Sequence, residues 1–582
     1  MVATQSDLSD PRYGYDLVAG TTQASINATM KEFLSKFQAV ECIKCYAYVS
    51  GTNGGQGSFE ELDFETLKSF VGKDPFSITD KDADAEALKK LYEKKFVFGF
   101  KAKLGLPTEF ELADIPDVVV LDRGNHKVTY NLTAKDFQLI AMEEHFGDLS
   151  WTNIAQADQA KPWTFRFEVD LDLASNDAAF NDLPEDVQQH VKNLEPGSMF
   201  SVQQLYLDLN TPGLEAAPDI PGLDKSSTAY LYLTRFFLNT YFEALQDRNR
   251  TGGNPQGNYL LGYAIKPSNV RQRNSIVPTD LNFMVSPFLD ETGNATKHYP
   301  LYTLNWLVMT EDHPMVPAKP FGWNWVQEAD VSNFHGAMAI KRGVFAEFLS
   351  GLLSPSLTSI CLVPSAKIDA NWKGLRVKLS ISKDRSPGSF KPVTKPGAHV
   401  LTFSHHKSDK DDVWKGIYWG NIEVKTNVTS DVYFEGKTIR VVTTAGAWMH
   451  FNAEGGVSEG DIVKYRVTTR FNLGVDANGQ LAVSMADPAF EDLSNFDTSF
   501  WAKVISLGQI NQFIANIKGF LDVMHRFLSD RPNRVKAMLN GSRSWVFPGG
   551  QTFLFKDPQF SSKQDLVAHV TYAAPTKLTL SG

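Results

Sequence analysis

Trp163-Thr164-Phe165-Arg166-Phe167-Glu168-Val169-Asp170-Leu171-Asp172-Leu173 alternates apolar and polar side chains without a break. Trp163, Phe165, Phe167, Val169, Leu171 and Leu173 share one face, and the polar residues between them share the other. That is the period of a half-buried strand. Eleven residues make about 35 Å of strand, long for a globular protein. Leu205, Leu207 and Leu209 repeat the alternation, and residues 39–49 read as another strand. Val118–Asp122 and Lys127–Thr133 flank Arg123-Gly124-Asn125-His126 as the arms of a hairpin.

Helical periods interrupt the strands. After Tyr13-Gly14-Tyr15-Asp16-Leu17-Val18-Ala19-Gly20, a short strand ending at glycine, the apolar residues Ile26, Met30, Phe33, Leu34 and Phe37 fall on one helical face. Ser25 is the expected N-cap. A short helix is expected at 83–95, and an aromatic one over Thr228–Leu245 with Phe236, Phe237, Tyr241 and Leu245. Phe500–Leu528 carries a seam that includes Val504, Leu507, Ile510, Phe513, Ile517, Phe520 and Met524. Unbroken, it would span about 43 Å, comparable to the long strands. A long sheet curled about long apolar helices can leave an elongated apolar tunnel between them.

The pattern then repeats. Gly336-Ala337-Met338-Ala339-Ile340 is a second short strand, and Val344–Leu353 a second amphipathic helix. Glu32-Phe33-Leu34-Ser35 returns as Glu347-Phe348-Leu349-Ser350. In both halves many alternating strands follow, then a later helix, then more strands. The expectation is two related modules, 11–325 and 326–582. At 582 residues the chain is in any case too long for one hydrophobic core.

A net charge of −10, with no Lys/Arg stripe interleaved with aromatics, argues against nucleic acid as a partner. Three cysteines fit a reducing compartment and exclude a disulfide scaffold. The polar start lacks the apolar core of a secretory signal. It leads us to expect a cytoplasmic protein, or one released without a standard signal peptide. No run of about 18 apolar residues occurs, so no transmembrane segment is expected.

Several short motifs suggest chemistry, and each has a plainer reading. Cys42-Ile43-Lys44-Cys45 has redox and metal spacing, but positions three apart on a strand face opposite sides. Gly456-Val457-Ser458-Glu459-Gly460 matches a nucleophile elbow, yet an alternating strand follows where a helix is required, so a surface turn is expected. Asp80–Glu86 resembles a calcium loop but has Ala85 where glycine is needed; acids in the first turn of a helix explain it. His399, His405 and His406 lie near Asp409, Asp411 and Asp412 in what reads as a solvated loop. The 51–58 loop lacks the Gly-Lys-Ser/Thr of a phosphate loop. No catalytic residue, metal or cofactor is expected from these motifs.

Tyr13-Gly14-Tyr15-Asp16-Leu17-Val18, with the helix Ser25–Phe37 behind it, resembles the N-terminal signature of proteins from clostridial neurotoxin gene clusters. These are the OrfX group and its forty-seven-kilodalton relative. Gln204-Leu205-Tyr206-Leu207-Asp208-Leu209 and the closing Trp545-Val546-Phe547-Pro548-Gly549-Gly550-Gln551-Thr552-Phe553 are similar to the same family. Tyr15 stands where the family has Trp. The resemblance implies an α+β, tubular lipid-binding (TULIP-like) fold, in which long amphipathic helices are wrapped by highly curved antiparallel sheet. It also implies binding of lipid or another hydrophobic molecule without catalysis.

The lining expected from helical phase is Ile26, Met30, Phe33 and Phe37 from the first helix, with Phe513, Ile517, Phe520 and Met524 from the last. Two other functions compete. One is an enzyme of cyclase or isomerase type acting on a hydrophobic substrate, which needs polar groups converging inside the cavity. The other is a component of a toxin-associated or other protein assembly, which predicts a filled core and an exposed apolar patch.

Overall fold

The structure is a computed structural model. It describes residues 3–36, 41–50, 57–79, 82–122, 124, 127–145, 148–175, 200–214, 220–237, 259–267, 276, 278–372, 374–453, 456–477, 479, 481–495 and 553–572.

Antiparallel sheets dominate. The central one runs β12(Pro278–Ser286), β13(Thr303–Thr310), β1(Leu17–Thr22), β14(Gly336–Ile340), β25(Leu566–Tyr572), β24(Phe553–Phe560). Its middle is the seam between β1 and β14, where Ala19 faces Met338 and Gly20 faces Ala337. Each side of the seam is built alike: an opening strand, then the two strands of a hairpin from much later in the chain. A helix follows each opening strand, α1(Gln23–Lys36) after β1 and, much later, α5(Arg342–Thr358) after β14. The shared Glu-Phe-Leu-Ser falls one turn nearer the helix start in α5 than in α1, which keeps it on nearly the same helical face.

Two five-stranded sheets belong to the first half. One is β11(Tyr259–Pro267), β10(Phe200–Leu214), β9(Phe165–Ser175), β6(Lys127–Leu132), β5(Val119–Val120). The other is β3(Ser58–Leu62), β2(Glu41–Val49), β4(Phe96–Leu104), β7(Ala134–His145), β8(Asp148–Ala155). The short helices α2(Phe64–Val71) and α3(Ala85–Glu93) pack their apolar faces, Leu67, Val71, Leu88 and Leu91, on Cys45, Phe96 and Ile140 of this sheet. A third helix, α4(Thr228–Tyr232), passes into a π turn over Leu233–Phe237.

In the second half β17(Lys391–Pro392), β18(His399–Lys415), β19(Tyr418–Glu435), β20(Thr438–Ala453), β21(Gly456–Val475) and β22(Leu481–Met485) form one sheet, with β23(Ala489–Asp492) paired to β21. The hairpin β15(Leu362–Asn371), β16(Gly374–Lys383) stands beside it. β19, at 18 residues, alternates half-buried and buried along nearly its whole length, the pattern expected when one face of a strand about 60 Å long meets a core.

The main apolar cluster crosses both halves, from Phe98, Phe137 and Phe165 through Trp306, Met338 and Leu349 to Phe403, Phe434 and Phe471. A second cluster covers the other face of the central sheet, where Tyr13, Tyr15, Phe321, Trp323 and Trp325 lie over Val18, Leu307, Ala339 and Val567. Burial on both faces explains why β13, Thr-Leu-Asn-Trp-Leu-Val-Met-Thr, is wholly buried and does not alternate hydropathy.

Several expectations need correction. α1 begins at Gln23, directly off the strand, so its cap is Thr22 and not Ser25: Thr22 Oγ1 accepts from the Ser25 N–H at 3.2 Å. The stretch Lys407–Asp412 is strand, not a solvated loop. Asp409 accepts from the Ala366 N–H and Asp411 from the Ile368 N–H, each at 2.9 Å. Carboxylates two apart on β18 thus meet N–H groups two apart on β15 and satisfy that edge. Ser458 lies in β21, paired with Phe451 and buried, not in a surface turn. The longest described helix is α5, at 17 residues. The helix expected over 500–528 lies outside the described residues, as does the part of 228–245 beyond Phe237.

Candidate functional site

Ile26, Met30 and Leu34 stack at successive turns of α1 and enter the main apolar cluster. Phe33 lies on the same helix, but its side chain is outside the described residues, as are Phe37, Phe513, Ile517, Phe520 and Met524 altogether. Of the eight expected lining residues, the described structure therefore brings together Ile26 and Met30.

The adjoining flank of α1 is polar and largely buried. Asn27 accepts from the Val119 N–H at 2.9 Å and donates to the Val119 carbonyl at 2.7 Å. Gln23 accepts from the Leu121 N–H at 2.8 Å and donates to Asp117 at 2.9 Å. Lys31 donates to the Ile115 carbonyl at 2.7 Å, and burial pushes its pKa down. These bonds tie α1 to residues 115–121, including the edge strand β5, so the apolar face cannot roll away from the interior without breaking several of them.

Aromatic side chains fill the space beyond Ile26 and Met30. Phe237 sits 4.7 Å from Phe137, 4.8 Å from Phe165 and 5.3 Å from Phe100, ring centre to ring centre. Phe236 stacks on Tyr46 at 4.5 Å. In the second half Phe345 of α5 meets Phe434 and Phe560.

The best-defined cleft among the described residues holds about 10 Å³, room for roughly one water. Its walls include Thr310, His313, Val344, Glu347 and Phe348. Asp16 lies behind it, buried, accepting from the Thr310 N–H and hydroxyl at 3.0 Å each, with His313 Nδ1 at 2.7 Å and Lys341 Nζ at 3.8 Å. An acid and a histidine in contact suggest acyl-transfer chemistry, but the nearby hydroxyl donates to the carboxylate itself. The group clasps strand ends and activates no nucleophile.

A second buried acid, Asp565, accepts from Ser6 Oγ at 2.8 Å, the Leu8 N–H at 2.7 Å and the Arg342 N–H at 3.0 Å. Burial drives its pKa up to about 6 against the pull of those donors. Lys341, at the N-cap position of α5, makes no side-chain cap; Asp565, just before β25, supplies the missing acceptor.

The cysteines behave as core. Cys45 is buried against α2 and α3, while Cys42, half-buried, turns to the other face of β2. Burial pushes Cys45 and Cys361 up to about 12, far from a reactive thiolate. His399 pairs with Asp431, His405 with Asp384 and His406 with Asn427. Among the described residues no group of three or more His, Cys, Asp or Glu could hold a metal. No described helix is long and apolar enough to cross a membrane.

No family model and no curated protein matches the chain by sequence. Two solved structures are similar to it over nearly their whole length. P47 of Clostridium botulinum E1 has 10% identity and a TM-score of 0.40, over 96% of this chain and 99% of that one. A lipopolysaccharide binding protein has 10% identity and a TM-score of 0.29, over 96% and 100%. Likeness at this level assigns neither ligand nor activity.

Proposed function

We propose that this protein binds lipid or another apolar small molecule in a TULIP-like arrangement, between its helix faces and curved antiparallel sheets, and does no chemistry on it. The observation that carries the reading is the interior itself: one apolar, ring-rich cluster runs through both halves, and the buried carboxylates among the described residues, Asp16 and Asp565, are both bonded at strand and helix ends. A cyclase or isomerase would need polar groups converging there. The division into two related modules, 11–325 and 326–582, belongs to the same proposal and is supported by the like construction on either side of the β1–β14 seam. Ile26, Met30, Phe33 and Phe37, with Phe513, Ile517, Phe520 and Met524, remain the proposed lining.

An acyl chain taken up by the protein would lie between a helix face and the sheet. Each buried methylene would then contribute about 0.8 kcal/mol, so chain length and not head group sets affinity. Native mass spectrometry of the freshly purified protein, followed by organic extraction, tests this. A co-purifying lipid, or uptake that strengthens with acyl length, supports it. A clean apo mass with no uptake from a lipid mixture rejects it in favour of an assembly component, the reading that a filled interior favours.

A further inference from the structure

Two hairpin turns in the second half carry the same tripeptide, Trp372-Lys373-Gly374 and Trp414-Lys415-Gly416. Trp372 sits in the β15–β16 turn, beyond the last pair, Asn371 with Gly374. Trp414 sits at the β18–β19 turn, which is closed by Lys415 and Tyr418 and carries Gly416 at φ 64° and Ile417 at its apex. Gly374 has φ 115°, so both turns use a glycine at a dihedral that other residues resist. Trp372 is 82% exposed, Trp414 80% and Ile417 76%.

The bases of these turns pack together. Leu375, one residue past the first turn, packs over Gly420, two residues past the end of the second. Gly420 pairs with Ala453, where the β20–β21 hairpin ends, and Val457 beside it is 57% exposed. Ile368, Ile422, Phe451 and Ala453 form a small apolar core under all three tips, with Leu375 and Val413 against it. A packed base therefore supports the turns that carry the exposed rings.

We infer that this group of turns in the second half is a membrane-docking tip, whose Trp372, Trp414 and Ile417 insert into the head-group region of a lipid bilayer. The exposed side chains crown separate projecting turns, so they suit a soft, planar partner. Indole rings also favour the boundary between water and acyl chains. Exposed charge at the described tips is mixed, with Arg376 and Lys415 against Asp412, and the whole chain is acidic. Insertion, not attraction to anionic lipid, must supply the affinity. This inference adds a lipid surface to the proposed interior site and does not depend on that site.

Flotation of the full chain with phosphatidylcholine vesicles, with and without phosphatidylserine, is the test. Binding to phosphatidylcholine alone is expected, unimproved by phosphatidylserine. Trp372→Ala and Trp414→Ala should each weaken it about tenfold, and urea titration of each variant separates lost docking from lost folding. Brominated phosphatidylcholine should quench tryptophan fluorescence in the native chain, and less in the double variant. Absence of flotation, or equal flotation of the double variant, overturns the proposal. So does an oligomer that dissociates in the double variant without any vesicle binding, which would assign the tip to a protein partner. Extraction of lipid from the double variant reads the interior site separately, so failure of one proposal is distinguishable from failure of the other.

Discussion

The two strand-to-helix junctions at the centre of the molecule, β1 into α1 and β14 into α5, share a sheet, yet they start their helices by different means. α1 is capped locally by Thr22, three residues before the N–H it receives. α5 is capped by Asp565, 223 residues from the Arg342 N–H that it accepts. The first helix is then fastened along a buried polar flank by Gln23 and Asn27. The second turns Phe345, Phe348 and Leu349 into the main apolar cluster. Similar local architecture does not require similar local chemistry, because a donor at a helix start needs an acceptor and not a particular neighbour.

The largest effect should come from the seam that both junctions share. A Cβ at Gly336 would run into the Gly20 carbonyl, so Gly336→Ala should lower unfolding stability by about 3 kcal/mol or more in urea titrations. A near-neutral result would mean that β1 and β14 are not so closely paired in solution.

Asp565→Ala should cost about 3 kcal/mol, since it strands the Ser6 hydroxyl and the Leu8 and Arg342 N–H groups. If it costs no more than a local cap, the long-range cap is not what starts α5. The same residue gives a pH test. Its folded pKa, about 6, lies above the unfolded value near 4, so between these pH values the native state binds more protons. Its contribution to stability therefore falls as pH rises through that window, by about 3 kcal/mol from end to end. Urea midpoints measured from pH 4 to 7 should show a smaller decline in Asp565→Asn.

Asn27→Ala should cost about 2 kcal/mol by leaving the Val119 N–H and carbonyl without this partner, and hydrogen exchange at Val119 should quicken. Thr22→Ala, the loss of a cap alone, should cost about 1 kcal/mol by the same urea titration. The ordering of Asp565→Ala above Thr22→Ala is the sharpest form of the comparison.

What could be read from sequence divides along the same line. The alternation of Phe165, Phe167, Val169 and Leu171 marked β9 and its buried face, since a period of two is a local property. The helical spacing of Ile26 and Met30 likewise put both in the interior. The acids at 409 and 411 misled because their composition is that of a turn, while their partners are N–H groups on a strand more than forty residues away. Trp372 and Trp414 carried a readable signal, the doubled Trp-Lys-Gly, but only the packing of Leu375 over Gly420 brings the bases of the two turns together.

By itself, then, the sequence determined strand and helix periods and the two strand-helix beginnings. All of these rest on interactions within a few residues, where chain geometry fixes what can meet. Tertiary structure decided that β1 and β14 pair, that Asp565 caps α5, and that Ser458 belongs to a strand. Each of those depends on groups brought together across long loops. Their identity follows from which buried donors and apolar faces are left unsatisfied once the local elements have formed.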